Sequence, residues 1–158
     1  IEVNVLHTPG HLPEHICYHF TIGDQPYLFC ADILFSSACG RIFIGTPADL
    51  KGSIDRLMSL PDNTLVFCAH EYTLANLNFA RTLEPTNADM KIREADVKTI
   101  RKKKRPSLPT TIGLERKVNP FCRCTEAELI TNLNAHKTLP NSDPLTVFTA
   151  LRAWKDNF

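Results

Sequence analysis

The hydrophobic pattern of this 158-residue chain changes period once, near residue 72, and that change limits the fold more than any other feature. Before it, short apolar runs alternate with turn residues. Ile1–Leu6 alternates apolar and polar side chains until Thr8-Pro9-Gly10 breaks the run. His15–Phe20 and Pro26–Cys30 flank a turn at Gly23-Asp24, and Thr64–Cys68 forms a further run. Ser36–Gly45, with small residues and two glycines, reads as a loop. One helix interrupts the strands: Thr46 is placed to cap it, Pro47 opens it, and Leu50, Ile54 and Leu57 recur at helical spacing. After the change the periodicity is helical. Helices are expected over Ala75–Leu83, over Asn87–Arg105, from a Thr125/Glu128 capping box to about Ala135, and from Asp143-Pro144 onward. Strands first and helices after is an α+β order, divided into residues 1–72 and 73–158.

Composition removes several classes of function. A 43% hydrophobic and 22% charged chain is globular, and a net charge of +1 provides no global field for nucleic acid or a membrane surface. No apolar stretch approaches the roughly 20 residues that span a bilayer. The chain starts at Ile1 on a strand-like run without a signal peptide, which reads as a cut through a domain. Cys17, Cys30 and Cys68 lie inside apolar runs, Cys39 sits in a turn, and Cys122 with Cys124 forms a pair without a second pair to close a zinc site. Reduced thiols in a cytoplasmic protein are therefore expected. The run Arg101–Arg105 suits the negative end of a helix dipole and reads as a solvated helix end.

Histidines recur at 7, 11, 15 and 19, a spacing that would line one face of a helix. Pro9-Gly10 and Pro13 interrupt it, so His7 and His19 read as surface or packing residues. His11, Asp32 and His70 differ, because each stands where a strand-like run gives way to a loop. Neutral imidazole and carboxylate are ordinary ligands of a hydrolytic metal site. On chemistry alone, satisfied histidines and a capping aspartate fit these positions too.

The surrounding strings carry more. TPGH at 8–11 with a further His at 15, CADILF at 30–35, CGRIFIGT at 39–46, CAHEYTLANLNFA at 68–80, NPF at 119–121 and RAWKDNF at 152–158 resemble, in order and spacing, glyoxalase II. These are the hydroxyacylglutathione hydrolases of the metallo-β-lactamase superfamily. The resemblance runs over essentially the whole chain, and the helical tail is its most specific part. It implies the second half of a metallo-β-lactamase αββα sandwich followed by a helical, glutathione-binding C-terminal domain. It further implies hydrolysis of S-D-lactoylglutathione to D-lactate and glutathione by a metal-bound hydroxide, with two zinc ions, or iron or manganese. By the same resemblance His11, Asp32 and His70 are the metal ligands, with Asp32 bridging. Arg41, Phe43, Tyr72, Arg152 and Lys155 take the glutathione contacts, Phe43 standing where many relatives have Tyr.

The HxHxDH string that supplies the family's remaining ligands is absent from these residues, leaving His7 and His15 as the nearest substitutes. The chain also departs from the family pattern at Leu12, Glu14, Ala31 and Ile33. Glu14 replaces a glycine where positive φ would be costly, and Ile33 replaces a hydroxyl beside Asp32. The implied partner is a glutathione thioester, with neither nucleic acid nor membrane. Half a two-sheet sandwich would also leave an apolar sheet face open to association. The competing reading is a non-catalytic relative that binds glutathione-like anions or a partner, and a weaker one is another thioester hydrolase.

Overall fold

A computed structural model describes all 158 residues. The strand-rich part contains β1 (Val3–His7), β2 (Ile16–Ile22), β3 (Gln25–Ala31), β4 (Leu34–Phe35), β5 (Ala38–Cys39), α1 (Pro47–Met58) and β6 (Leu65–Cys68). The remainder contains α2 (Thr73–Leu83), α3 (Ala88–Lys102), β7 (Thr110–Thr111), α4 (Ile112–Val118), a 3₁₀ turn (Pro120–Cys122), α5 (Ala127–His136) and α6 (Pro144–Asp156). The architecture is α+β.

Five strands form one sheet in the order β1-β2-β3-β6-β7, and β4 pairs with β5 in a separate hairpin. The β1–β2 and β2–β3 pairs are antiparallel, and β3–β6 is parallel. It follows that β1, β3 and β6 run in one direction. A parallel neighbour needs a long crossover, and here the β4–β5 hairpin and α1 supply it. Helix α1 begins as its residues dictate: Thr46 accepts from the Asp49 N–H, the Asp49 carboxylate answers to the Thr46 N–H, and Pro47 takes the first turn.

Strand alternation decides which sheet face is covered. Cys17, Leu28, Cys30 and Val66 point to one side and are fully buried against α1, α5, α6 and the 3₁₀ turn. Twenty-three buried residues form that core, which runs continuously from β2 to α6 across residue 72. The opposite face is open. Val3, Val5, Tyr18 and Phe29 are 45–59% exposed there, and Phe20, Tyr27, Phe29 and Phe67 stack on one another across the strands. The expected uncovered apolar face is present.

Several local expectations are corrected. The stretch read as a loop at Ser36–Gly45 contains half of the β4–β5 hairpin. The Thr125/Glu128 capping box does not form, because Glu126 is the cap residue and makes no side-chain bond. The Glu128 carboxylate instead accepts from the Thr86 N–H (3.1 Å) and hydroxyl (2.6 Å), a long-range tie that outcompetes the local one. Helix α3 stops at Lys102, and Lys104 leaves it with φ of 54°, ahead of Pro106. Helix α4 was not anticipated; it is only seven residues long, too short for periodicity to reveal, and Thr111 caps it.

Candidate functional site

Three co-directional strands end at one edge, and each delivers one of the three ligand candidates. His11 lies in the β1–β2 connection, Asp32 follows β3, and His70 follows β6. Between Phe29 and Ala31 the β3–β6 register slips, and Ala31 then adopts φ of 41°. That bulge and left-handed residue swing Asp32 beyond the strand end. His70 Nε2 lies 3.4 Å from Asp32 Oδ1. Ile33, which replaces the hydroxyl of the family pattern, is fully buried and anchors the same turn in the core.

The His11 loop is pinned from both sides. The Thr8 N–H bonds the His15 carbonyl (2.8 Å), and Ser53 of α1 donates to the Pro9 carbonyl (2.6 Å). Gly10 has φ of 141°, and a Cβ there would lie 2.4 Å from Leu50 Cα, so glycine is obligatory. Glu14 lies outside the left-handed region, so its replacement of a glycine carries no φ penalty. His11 Nδ1 is 2.8 Å from the Arg41 carbonyl. A carbonyl only accepts, so Nδ1 holds the proton and the Nε2 lone pair is free for a ligand.

The two substitute histidines are differently placed. His7 Nε2 donates to the Pro13 carbonyl (2.8 Å), and its side chain is exposed. His15 is nearer, with its ring centroid 6.3 Å from that of His11 and its Nδ1 2.9 Å from the Thr8 hydroxyl. Burial, and then the neighbouring His11, hold the His15 imidazole below its ordinary pKa.

All eight anticipated site residues line one cavity of about 640 Å³. His11, Asp32 and His70 share it with Phe43, which lies against the His11 ring (4.9 Å), and with Tyr72, which stacks on His70 (4.9 Å). Arg41, Arg152 and Lys155 bring cations to the same space. Asp156 is the carboxylate that the two arginines share, 3.7 Å from Arg41 and 3.0 Å from Arg152. Arg152, assigned a glutathione contact by the resemblance, is only 5% exposed. Its Nη1 donates to the Cys39 (2.8 Å) and Gly40 (3.3 Å) carbonyls, and its guanidinium covers the Phe121 ring. Lys155 lies over Phe79, and burial, with Arg152 and Arg41 nearby, holds its pKa below the ordinary lysine value. All six thiols are free, and burial pushes Cys39 up to about 11 despite Arg152.

Two imidazoles and a carboxylate suit a divalent ion chemically. Three donors are fewer than two ions require, and no three His, Cys, Asp or Glu side chains are drawn together closely enough to enclose one.

Sequence reasoning missed the groups behind the site. Glu71 accepts from the Ser107 N–H and hydroxyl (both 2.6 Å), which ties the segment after His70 to the loop after α3. Glu115 of α4 and Asn119, the residue that ends that helix, grip the turn between β4 and β5. The NPF string that contains Asn119 was the one available signal.

Comparison with known proteins identifies the family. Residues 2–70 match the family model of the metallo-beta-lactamase superfamily, and residues 71–158 match that of the hydroxyacylglutathione hydrolase C-terminus. The chain belongs to the hydroxyacylglutathione hydrolase family. It is 46% identical over 158 residues to the hydroxyacylglutathione hydrolase of Nitrosomonas eutropha, covering all of this chain and 60% of that one. It is 48% identical over 159 residues to that of Cupriavidus taiwanensis, covering 59% of it. The chain thus spans about 60% of the length of the hydroxyacylglutathione hydrolases it matches. Among solved structures it resembles ETHE1 from Myxococcus xanthus (TM-score 0.50, 25% identity), over 97% of this chain and 52% of that one. A metallo-beta-lactamase from Staphylococcus aureus shares the fold (TM-score 0.50, 21% identity), over 96% of this chain and 38% of the other.

Proposed function

We propose that this chain carries the glutathione-binding surface and part of the metal cage of a thioester hydrolase that cleaves S-D-lactoylglutathione to D-lactate and glutathione. One observation carries the reading: two imidazoles and a carboxylate share a single cavity with three cations. Glutathione has two carboxylates, and the cationic side chains Arg41, Arg152 and Lys155 are suited to receive them. Asp156, which pairs with the two arginines, offsets only part of that positive charge. Tyr72 and Phe43 supply apolar contact for the substrate's chain.

His11, Asp32 and His70 are the residues of this cavity that would contribute ligands to zinc, or iron or manganese, once drawn closer together than they stand here. A divalent ion bound there would supply Lewis-acid polarisation of the thioester carbonyl. The chain's own part is orientation. The Arg41 carbonyl keeps the His11 proton on Nδ1, and the Ala31 turn sets Asp32 beside His70. In this reading residues 1–72 contribute the ligands and 73–158 the Arg152 and Lys155 contacts, and the protein acts in the cytoplasm on products of methylglyoxal conjugation.

A second reading, binding of glutathione-like anions without turnover, is favoured by the spread of His11, Asp32 and His70, which do not close around one point. Hydrolysis of S-D-lactoylglutathione by the purified chain with added zinc separates the two. Turnover that Asp32→Ala abolishes supports hydrolysis, whereas glutathione binding from a folded sample with no turnover supports the second reading.

A further inference from the structure

Glu115 has no place in the chemistry described above, yet it is fully buried. No Lys or Arg lies within salt-bridge distance of it. A carboxylate in such a position is costly unless its oxygens are satisfied. Three donors satisfy them: the Ser37 N–H (2.7 Å), the Thr110 hydroxyl (2.7 Å) and the Asn119 side-chain amide (2.9 Å). The same Asn119 amide donates to the Phe35 (3.2 Å) and Ala38 (2.9 Å) carbonyls. Glu115 and Asn119 therefore clamp both sides of the turn that joins β4 to β5. Ser37 within that turn has φ of 63°, a conformation a non-glycine residue keeps only when its surroundings hold it.

The clamped turn leads straight into the site. Two residues past it, the Gly40 N–H donates to the Ile33 carbonyl (3.0 Å), and a Cβ at position 40 would lie 1.9 Å from the Asp32 carbonyl oxygen. The next carbonyl, that of Arg41, receives the His11 Nδ1 proton. A shift of the turn is thus passed to Asp32 by direct backbone contact and to His11 by its orienting hydrogen bond. Glu115 itself does not line the cavity.

We infer that Glu115 is a positioning residue, whose carboxylate fixes the β4–β5 turn and through it the placement of Asp32 and the tautomer of His11. The inference rests on the reading of His11, Asp32 and His70 as ligands. Glu84 provides the control. It is equally buried, but its carboxylate pairs with Arg123 in a bidentate contact and makes no hydrogen bond to the β4–β5 turn.

The test uses the whole 158-residue chain. Long-range ¹⁵N–¹H correlation reports which His11 nitrogen carries the proton, and Co²⁺ titration reports affinity. In folded Glu115→Ala, His11 is expected to lose its fixed Nδ1–H tautomer and Co²⁺ affinity to fall about tenfold or more, the usual cost of losing an outer-shell partner. Glu115→Gln, which keeps one acceptor, is expected to fall between, and Glu84→Gln to match the wild type in both readouts. A wild-type tautomer and affinity in Glu115→Ala would overturn the inference, as would an equal loss in Glu84→Gln. Should Glu115→Ala not fold, Glu115→Gln decides: an altered His11 tautomer supports the inference and an unaltered one overturns it. A wild-type chain that binds no Co²⁺ would sink the ligand reading, and the tautomer comparison would still decide the role of Glu115.

Discussion

The ligand side and the cationic side of the cavity are built in different ways. The ligand side is irregular backbone: the Gly10 loop, the Ala31 bulge, the Ser37 turn and Gly40 against Asp32. Two of its three cations, by contrast, stand on one regular helix, α6, whose apolar face is locked into the core. Two imidazoles and a carboxylate from three separate strands converge only if the chain turns sharply at each strand end. Cations for a flexible anion need only a firm platform. The ligand side therefore tolerates little backbone change, and on the cationic side a half-buried cation such as Lys155 can change with little cost to the fold.

The contrast is broken most severely at Gly40. Gly40→Ala places a carbon inside the contact distance of the Asp32 carbonyl, and a loss above about 4 kcal/mol is expected. Urea denaturation monitored by circular dichroism would measure it; a wild-type midpoint would mean that the ligand side has slack. Arg152→Met comes next, since it orphans the buried Cys39 and Gly40 carbonyls, at an expected cost of about 2 kcal/mol. It joins the two sides, so its loss should weaken both stability and glutathione binding.

Ala31→Gly runs the other way. Relief of the left-handed alanine should raise stability by up to about 1 kcal/mol, seen as a higher melting temperature. Lys155→Met sharpens the contrast from the cationic side. Stability should stay within about 0.5 kcal/mol, while glutathione affinity drops about tenfold by calorimetric titration.

The smallest effect is in pH. Burial raises the Glu115 carboxyl above its ordinary value of 4.5, against the pull of its three donors and the Arg93 charge. A raised folded-state value means that Glu115 contributes most to stability below 4.5, and that this contribution fades as pH rises through the folded value. The stability difference between wild type and Glu115→Gln should therefore shift against the wild type on going from pH 4 to 7. A pH-independent difference would count against that assignment.

Much of the scaffold was legible in the sequence because it follows local rules. The Thr46-Pro47 start, the Asp143-Pro144 start and the alternation in β2 and β3 all depend on near neighbours. What escaped depends on distant ones. Two-residue strands such as β4 have no period to detect, and Glu128 bonds Thr86 across 42 positions instead of capping its own helix. The candidate site residues stood out only through the motifs that contain them, since the chemistry of His11, Asp32 and His70 alone fits satisfied side chains as well. Glu115 was invisible for a plainer reason. Followed by Arg116 and Lys117 in a charged stretch, it looks like any solvated helical glutamate until its burial is seen.

The central claim is that one cavity joins the ligand side to the glutathione side. Titrating the ¹⁵N-labelled chain with glutathione, and following backbone and side-chain shifts, tests it most directly. The account predicts saturable shifts at Arg41, Tyr72, Arg152 and Lys155 that extend to His70 and His11, and that Lys155→Met weakens. Saturable shifts confined to another surface, or none at all from a folded sample, would contradict it.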